Sequence, residues 1–459
     1  MDRKIKIYGG RIHGKCKHKH NCIRKACNPW EYPEVCRAHH CDDGVHVFYT
    51  MVDGLFVSNL IGTDALSAIN LTAPVIQLVT AISTMLATGG SAVIMKKMGE
   101  QKAEEAKEDF TFLILVNVIV GIVMCAVGYR TMDSIFSGMK LSAEVEAYCV
   151  GYLSRYLVFT VPILLMNNFT LYMIASEKAT LSLACSVTGG VLNMALDYVF
   201  IAVLDMGIGG AAVATGLGYS VTAVVGLFVF SWKGNLLHFR KPRLRFRVLG
   251  FAATNGCSEM ATALVTGIVT LMFNWTMLRY VGEDGVAAVT IIMYVLMFAS
   301  SLYTGYSYGV APMLSYCYGE QSDGKLKKLV AVSLKVIAGI SLVTAAASFL
   351  LTEPLVSIFA RPENPVYELA VTGNRICTVA LFFIGFNIFA SGMFTALSNG
   401  VVSAVLAFSR SFVFMLITMI VLPLLFGVNG IWLATPVAEL MALALSAFMF
   451  FRYRGRYGY

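Results

Sequence analysis

Three carboxylates lie in or beside long apolar stretches of the sequence, a setting in which ionised groups are rare. They are Asp53, Asp197 and Glu259. In a bilayer, a charged side chain at the centre of a spanning helix costs ~2.5–3.5 kcal/mol on insertion scales, so one that is retained there is a functional candidate. A medium of low dielectric also favours the neutral acid over the carboxylate, so such a group can exchange a proton near neutral pH. Each residue is therefore a candidate proton or sodium site.

Each candidate also has a purely structural interpretation. Asp53 precedes Gly54 and could be an interfacial residue at a helix end, Asp197 could form a buried structural pair, and Glu259 could be a structural residue facing a pore. The spacing of Asn193 and Asp197 favours a binding role, because residues four apart share one helical face. That face offers a neutral amide oxygen beside an anionic oxygen, a combination that suits a hard cation such as sodium.

Two further charges, Arg410 and Glu439, lie in apolar stretches near the end of the chain. Pairing between them would neutralise both, and a structural ion pair is the interpretation we favour. Glu439 could instead contact a substrate.

The composition requires a membrane around these residues. Of the 459 residues, 57% are hydrophobic and 14% charged, with a mean hydropathy of +0.71, whereas soluble domains carry roughly 25% charged residues. Apolar runs of the ~20 residues that a spanning helix needs recur after about residue 47. The fold class is therefore all-α and polytopic, with the lipid bilayer as its surroundings and about twelve transmembrane helices. The predicted spans are 47–61 (short), 71–95, 110–129, 148–175, 179–204, 208–232, 248–280, 287–316, 329–351, 368–396, 400–426 and 429–451.

Basic residues orient the spans. The loop between the sixth and seventh spans carries Lys233, Arg240, Lys241, Arg243, Arg245 and Arg247 without an acid, so the positive-inside rule places it in the cytoplasm. Other basic loops fall on the same side if the helices alternate, which predicts a multi-pass protein of the cell (plasma or inner) membrane with both termini cytoplasmic. The net charge of +8 follows from this loop bias and calls for no nucleic-acid partner.

Catalytic signatures are missing from the sequence. No HExxH or GxxxxGK[ST] motif occurs, and the only histidine after residue 46 is His238, in a loop. We therefore expect no enzyme activity, no cofactor beyond a coupling ion and no ATP hydrolysis through a P-loop.

An internal repeat runs through the chain at an offset of 220 residues. GTDALSAIN from Gly62 resembles GEDGVAAVT from Gly282, GEQ at Gly99 recurs at Gly319, and GIGGAAVAT from Gly207 matches GVNGIWLAT from Gly427, with no gap needed. Six spans separate equivalent positions, so the halves are predicted to be parallel six-helix repeats. Such duplication is typical of secondary transporters, which bind substrate between the halves.

The repeat exposes an anomaly at the start of the chain. Residues 248–266 are apolar, but their counterparts at 28–46 are polar and rich in Cys and His, and they lack the C-x2-4-C pairs of structural zinc sites. We interpret residues 1–46 as an aberrant segment that truncates the first helix. The predicted organisation is then an N-lobe at 47–232, a basic cytoplasmic linker at 233–247 and a C-lobe at 248–459.

Several strings between residues 47 and 451 resemble one transporter family. YTMVDGLFVSNLIGTDALSAINLTAPV from Tyr49, LNMALDYVFI from Leu192, TNGCSEMATALVTGIVTLMFN around Glu259 and WLATPVAEL near the end are similar to segments of multidrug and toxic-compound extrusion (MATE) transporters. Only the first 46 residues depart from the resemblance.

The resemblance implies a monomeric antiporter that exports lipophilic, cationic small molecules in exchange for Na⁺ or H⁺. It implies an N-lobe cation site lined by Asp53, Asn167 or Asn168, Asn193, Asp197 and Thr215, with Glu259 as the C-lobe acid and Na⁺ held by Asp53, Asn193 and Asp197. Two alternatives stay open. One is a flippase for lipids or lipid-linked oligosaccharides, and the other is a chain that the N-terminal defect leaves inactive.

Overall fold

A computed structural model describes residues 57, 60 and 61, 63–137 and 143–459. Residues 1–46 and Asp53 lie outside the described residues, as does nearly all of the predicted first span. The described chain contains helices and no strand, which confirms the all-α fold class. In the first half these helices are α1 (Thr63–Gly99), α2 (Ala103–Ser137), α3 (Ala143–Val158), α4 (Thr160–Ala175), α5 (Ala179–Asp197) and α6 (Ile208–Ser231).

The second half follows the same order. It contains α7 (Phe246–Tyr280), α8 (Glu283–Gly319), α9 (Asp323–Leu350), α10 (Thr352–Ser357), α11 (Pro365–Cys377), α12 (Leu381–Ala396), α13 (Gly400–Phe408), α14 (Met415–Phe426) and α15 (Val428–Tyr457). The predicted linker, residues 233–247, falls between α6 and α7. Among the described residues, ten helical stretches are long and apolar enough to cross a membrane, and an eleventh arises if α3 and α4 are one bent span. These eleven correspond one to one with the predicted spans after the first.

The bend between α3 and α4 has a local cause. The two helices meet at 54°, although the sequence predicts a single span at 148–175. Pro162 lies in the first turn of α4, where its missing N–H is tolerated, but its ring would clash with the carbonyl four residues earlier, at Val158, in a continuous helix. The helix therefore breaks at Phe159.

Helix boundaries reproduce the internal repeat. Thr63 and Glu283 both begin a helix, as do Ile208 and Val428, and each pair is 220 residues apart. Left-handed backbone occurs at Gln101 (φ 62°) and again at Gln321 (φ 55°). The described helices thus carry the same order and nearly the same spacing in both halves.

The three matched segments keep the offset of 220, but the offset is not constant between them. α4 (Thr160–Ala175) matches α12 (Leu381–Ala396) at an offset of 221, and the left-handed residue after each helix, Glu177 or Ser398, shows the same shift. One extra residue therefore enters the second half before α12, and the register returns to 220 by α15.

Reciprocal glycine contacts join the two halves at one end of the molecule. A Cβ on Gly99 would lie 2.1 Å from the carbonyl oxygen of Tyr316, and one on Gly319 would lie 2.0 Å from that of Lys96. Lys96 and Tyr316 are themselves 220 residues apart, so the contact follows the repeat symmetry. Since only glycine permits this approach of two backbones, α1 and α8 are locked together at their C-terminal ends.

Further along α1, the partner is α7. A Cβ on Gly89 would lie 1.8 Å from the carbonyl oxygen of Ala252, and one on Gly256 would lie 1.9 Å from that of Met85. Gln77 also donates to the carbonyl oxygen of Ala263 at 3.2 Å. α1 therefore lies against both α7 and α8, and these three helices form the described boundary between the halves.

Candidate ion-binding sites

Close packing of α5 and α6 positions the N-lobe candidates. A Cβ on Gly189 would lie 2.6 Å from the carbonyl oxygen of Gly218, and one on Gly218 would lie 2.8 Å from that of Gly189. This approach brings polar side chains one turn away on each helix into contact. The amide nitrogen of Asn193 lies 3.4 Å from the hydroxyl oxygen of Thr215.

The three side chains of this site are withdrawn from the surface. Asn193, Asp197 and Thr215 are 1%, 0% and 7% exposed, respectively. Within the described part of the chain, the amide oxygen of Asn193 has no hydrogen-bond partner. A buried carbonyl oxygen left without a donor is costly, and it is a suitable ligand for a cation. The structure thus brings Asn193 and Thr215 together, with Asp197 one helical turn along α5.

The backbone at Asp197 is irregular. α5 ends at Asp197, and the next six residues, Tyr198–Val203, form a π-helical stretch. π-Helical turns are rare and often accompany functional sites, because the wider turn redirects side chains. Periodicity in the sequence did not predict this feature, which begins immediately after the candidate acid.

Asn167 and Asn168 lie in different surroundings. Asn168 and Asn117 donate reciprocally to each other's amide oxygens at 2.9 and 3.3 Å, and both side chains are fully buried. Each also donates to a carbonyl oxygen of its own helix. Asn167 donates to the hydroxyl of Ser83 at 3.0 Å. The structure therefore ties α4 to α2 through Asn168 and to α1 through Asn167, and it does not link either residue to Asn193.

Glu259 is the acid of α7, and it is half-buried. The hydroxyl of Tyr308 on α8 donates to its Oε2 atom at 3.0 Å. The aromatic donor was not assigned to Glu259 from the sequence, because a contact between α7 and α8 depends on how the two helices pack.

Arg410 and Glu439 form the ion pair that the sequence suggested. The Nε atom of Arg410 lies 3.1 Å from Oε1 of Glu439, and Arg410 belongs to a second π-helical stretch, Ser409–Phe414. Asn387 donates to the other carboxylate oxygen of Glu439 at 2.8 Å and accepts from Ser446 at 3.0 Å. Both carboxylate oxygens of Glu439 are thereby satisfied.

A cluster of four hydroxyl groups, one of which belongs to the residue before Glu259, was missed by sequence reasoning. Ser403 contacts Ser258 and Ser391 at 2.9 Å and Thr395 at 2.7 Å, and all four are buried. The cluster joins α7, α12 and α13. Serine and threonine in apolar helices give no periodic signal, so only the packing reveals it.

No transition-metal centre occurs in the described residues. Within 63–137 and 143–459, no three His, Cys, Asp or Glu side chains come together as metal ligands would. Asp53 lies outside the described part of the chain, so the sodium site expected at Asp53, Asn193 and Asp197 stays a prediction.

Comparison with known proteins identifies the family of the chain. Residues 45–199 and 260–421 match the family model described as MatE, and these two segments make up more than half of the chain. The matched regions include Asp53, Asn193, Asp197 and Arg410, and the second one begins directly after Glu259.

Two similar proteins are multidrug export proteins MepA. The one from Staphylococcus haemolyticus (strain JCSC1435) is 22% identical over 414 residues, covering 89% of this chain and 90% of that protein. The one from Staphylococcus aureus (strain bovine RF122 / ET3-1) is 21% identical over 404 residues, covering 87% and 88%.

Solved MATE structures share the fold. A crystal structure of a MATE in the straight conformation superposes with a TM-score of 0.89 at 22% identity, over 95% of this chain and 98% of that one. A mutant of the Vibrio cholerae MATE transporter VcmN gives a TM-score of 0.87 at 18% identity, with the same coverage.

Proposed function

The chain belongs to the MatE family, and from that premise we propose that it is a secondary antiporter. It exports lipophilic, cationic small molecules in exchange for Na⁺ or H⁺. The MepA relatives, which are multidrug export proteins, support export of drugs or toxic compounds over translocation of a lipid.

The observation that carries the proposal is the buried polar site between α5 and α6. Asp197 is fully buried, and one turn away the amide of Asn193 meets the hydroxyl of Thr215 at 3.4 Å. A carboxylate is retained in a spanning segment only at considerable cost, which a bound cation or proton offsets. A buried acid with adjacent neutral oxygens therefore supports ion coupling in the N-lobe.

A cationic substrate is supported by one acid of the C-lobe. Glu259 is half-buried and held by Tyr308 at 3.0 Å, so a carboxylate and an aromatic ring lie together near the boundary between the lobes. Such a pair attracts a lipophilic cation through charge and through the ring face.

Coupling requires that ion and substrate favour different states of the protein. In the present state, the glycine contacts close the lobes at the end that carries the basic loops. We assign that end and both termini to the cytoplasm, so this state is closed toward the cytoplasm, and the coupling ion enters from the opposite side. The transporter works as a monomer in the cell (plasma or inner) membrane, and no further cofactor takes part.

The test is efflux of a fluorescent lipophilic cation from proteoliposomes, with Na⁺ and proton gradients imposed separately. We expect one of the two gradients to drive export by the wild-type protein, and Asp197→Asn to abolish that dependence. The matched control is Asp205→Asn, because Asp205 is exposed and its backbone φ of 49° also suits asparagine. This control should transport as the wild type does.

Two outcomes would contradict the proposal. Full gradient-dependent export by Asp197→Asn would remove the N-lobe acid from the coupling mechanism. Absence of export by the wild type under either gradient would favour a flippase or a chain disabled by its first 46 residues.

A further inference from the structure

A groove of about 470 Å³ opens between α9, α12 and α15 at the basic end of the C-lobe. Most of its lining is apolar, including Leu334, Ala390 and Phe450. Two cations, Lys327 and Arg454, lie at its mouth together with Tyr459. The groove is therefore apolar along its length and positively charged at one end.

The two cations have no ion-pair partner among the described residues. The nearby acid Glu320 is already paired with Lys325 at 2.8 Å, and the carboxyl group of Asp323 lies against Gly458. Lys327 and Arg454 are both exposed. Their positive charge remains available to a ligand from outside the protein.

The N-lobe provides an internal control, since its equivalent position is filled by protein. At an offset of 220, Phe230 and Phe239 correspond to Phe450 and Tyr459, and Phe110 replaces Val330. The ring of Phe239, which belongs to the linker, lies 5.4 Å from that of Phe110 and 6.4 Å from that of Phe230. At the offset of 221 that holds for α12, Phe169 is the N-lobe counterpart of Ala390. The ring centroids of Phe169 and Phe230 lie 5.4 Å apart.

The one cation at the equivalent N-lobe position is paired as well. Lys107, the counterpart of Lys327, pairs with Glu104 at 2.9 Å. The backbone nitrogen of Arg240 donates to Thr111, the counterpart of the groove residue Ala331, at 3.0 Å. The same structural position is thus closed and neutralised in one lobe, but open and cationic in the other.

We propose that the C-lobe groove binds one anionic phospholipid. Its phosphate lies between Lys327 and Arg454, and an acyl chain fills the groove beside Ala390. Arg and Lys are the usual partners of phosphate oxygens. Basic pockets between transmembrane helices on the cytoplasmic side are suited to anionic headgroups, which matches the side assigned to these loops by the positive-inside rule.

The experiment is native mass spectrometry of the full chain purified in detergent, titrated with phosphatidylglycerol or with phosphatidylcholine of the same acyl chains. We expect one tightly bound phosphatidylglycerol and weaker binding of phosphatidylcholine. In the double variant Lys327→Gln/Arg454→Gln, the affinity for phosphatidylglycerol should fall roughly 10- to 30-fold, since each surface cation contributes on the order of 1 kcal/mol.

Two controls separate this site from general attraction to basic loops. Lys328→Gln/Arg452→Gln removes the same charge from neighbouring exposed positions outside the groove and should bind phosphatidylglycerol as the wild type does. Ala390→Phe restores the residue type of the N-lobe and should block the acyl chain while both cations remain. If Ala390→Phe fails to fold, Ala331→Phe, at an exposed position of the lining, tests the same point.

The proposal is overturned if phosphatidylglycerol and phosphatidylcholine bind equally, or if both charge variants lose affinity to the same extent. Neither result depends on transport. The lipid site can therefore fail while the antiporter proposal stands, and the reverse is also true.

Discussion

Glu439 is buried and its two carboxylate oxygens have different partners. One oxygen meets Arg410 at 3.1 Å, and the other accepts from Asn387 at 2.8 Å. Desolvating two charges is expensive, and their attraction offsets that cost only when the remaining lone pairs are also bonded. The Asn387 contact supplies that second bond, so we regard the pair as a fixed structural element of the C-lobe.

Breaking this pair should therefore destabilise the protein. Arg410→Met leaves Glu439 buried without its counter-ion, and loss of one partner of a buried pair costs ~3–5 kcal/mol. We expect the midpoint of thermal unfolding in detergent to fall by several degrees. The double variant Arg410→Met/Glu439→Leu should recover much of that loss, because neither charge remains.

A double variant as unstable as the sum of the two single variants would show that the side chains do not interact. The exposed pair Arg375–Glu353, at 2.8 Å, is the matched control. Exposed pairs contribute ~0–1 kcal/mol, so Arg375→Met should leave the unfolding midpoint nearly unchanged.

Residue types and local spacing predicted part of each site and could not predict the rest. Asp197 and Glu259, and Asn193 four residues before Asp197, are visible in the sequence because polar and charged residues stand out in apolar stretches. The contacts of Asn117 with Asn168 and of Tyr308 with Glu259 were missed, since these partners lie 51 and 49 residues apart in the sequence. Contacts of that kind depend on helix packing, which hydropathy does not specify.

At the scale of elements, the spans were predictable and their irregularities were not. Hydropathy predicted twelve spans, because a bilayer demands ~20 apolar residues from each, and the described residues contain the last eleven of them. The π-helical stretches Tyr198–Val203 and Ser409–Phe414 leave no such trace, since they change the backbone hydrogen bonds without changing composition. Even so, one follows Asp197 directly and the other contains Arg410.

The glycine contacts between α1 and α8 predict a conformational variant. In Gly319→Ala, the new Cβ would lie 2.0 Å from the backbone oxygen of Lys96, and a backbone atom cannot move aside as a flexible side chain does. We expect the two helix ends to separate, which shifts the population toward a state that is open on the side of the basic loops.

Spin labels at the exposed positions Lys102 and Lys328, one in each lobe, would measure this separation. The distance between the labels should lengthen in Gly319→Ala. Gly339→Ala is the control, because Gly339 is an exposed helical glycine and a Cβ added to it would meet no atom within 4 Å. An unchanged distance in Gly319→Ala would show that the contact does not hold the lobes closed.

At the scale of the whole molecule, the linker is attached to the N-lobe. Leu237 is fully buried, and Phe239 packs against Phe110 and Phe230. Arg245 contacts the acids Glu105 and Glu108 at 3.1 Å. The sequence predicted a basic loop between the lobes but not this docking, because the acids that receive it lie at the start of α2. Relative motion of the lobes must then be absorbed after Arg245, where α7 begins.

Phe239→Ala tests whether the linker is attached to the N-lobe. Phe239 is partly buried against a packed cluster, so its removal costs part of the ~3–5 kcal/mol lost with a fully buried aromatic ring. The linker should therefore detach from the N-lobe more often while the spanning helices remain folded. Trypsin cleaves after Lys and Arg unless proline follows, and the linker offers Arg240 and Arg243. Cleavage there should accelerate by roughly tenfold or more, since proteolysis follows the population of the open form.

Trp232→Ala provides the comparison, because that ring is 73% exposed and its removal should leave the cleavage rate unchanged. If both variants were cleaved at the wild-type rate, the linker would be accessible in the intact protein, and the docking onto the N-lobe would not persist in solution. The lobes could then move about any part of residues 233–247. A selective effect of Phe239→Ala would instead confine the hinge to the start of α7, the helix that carries Glu259.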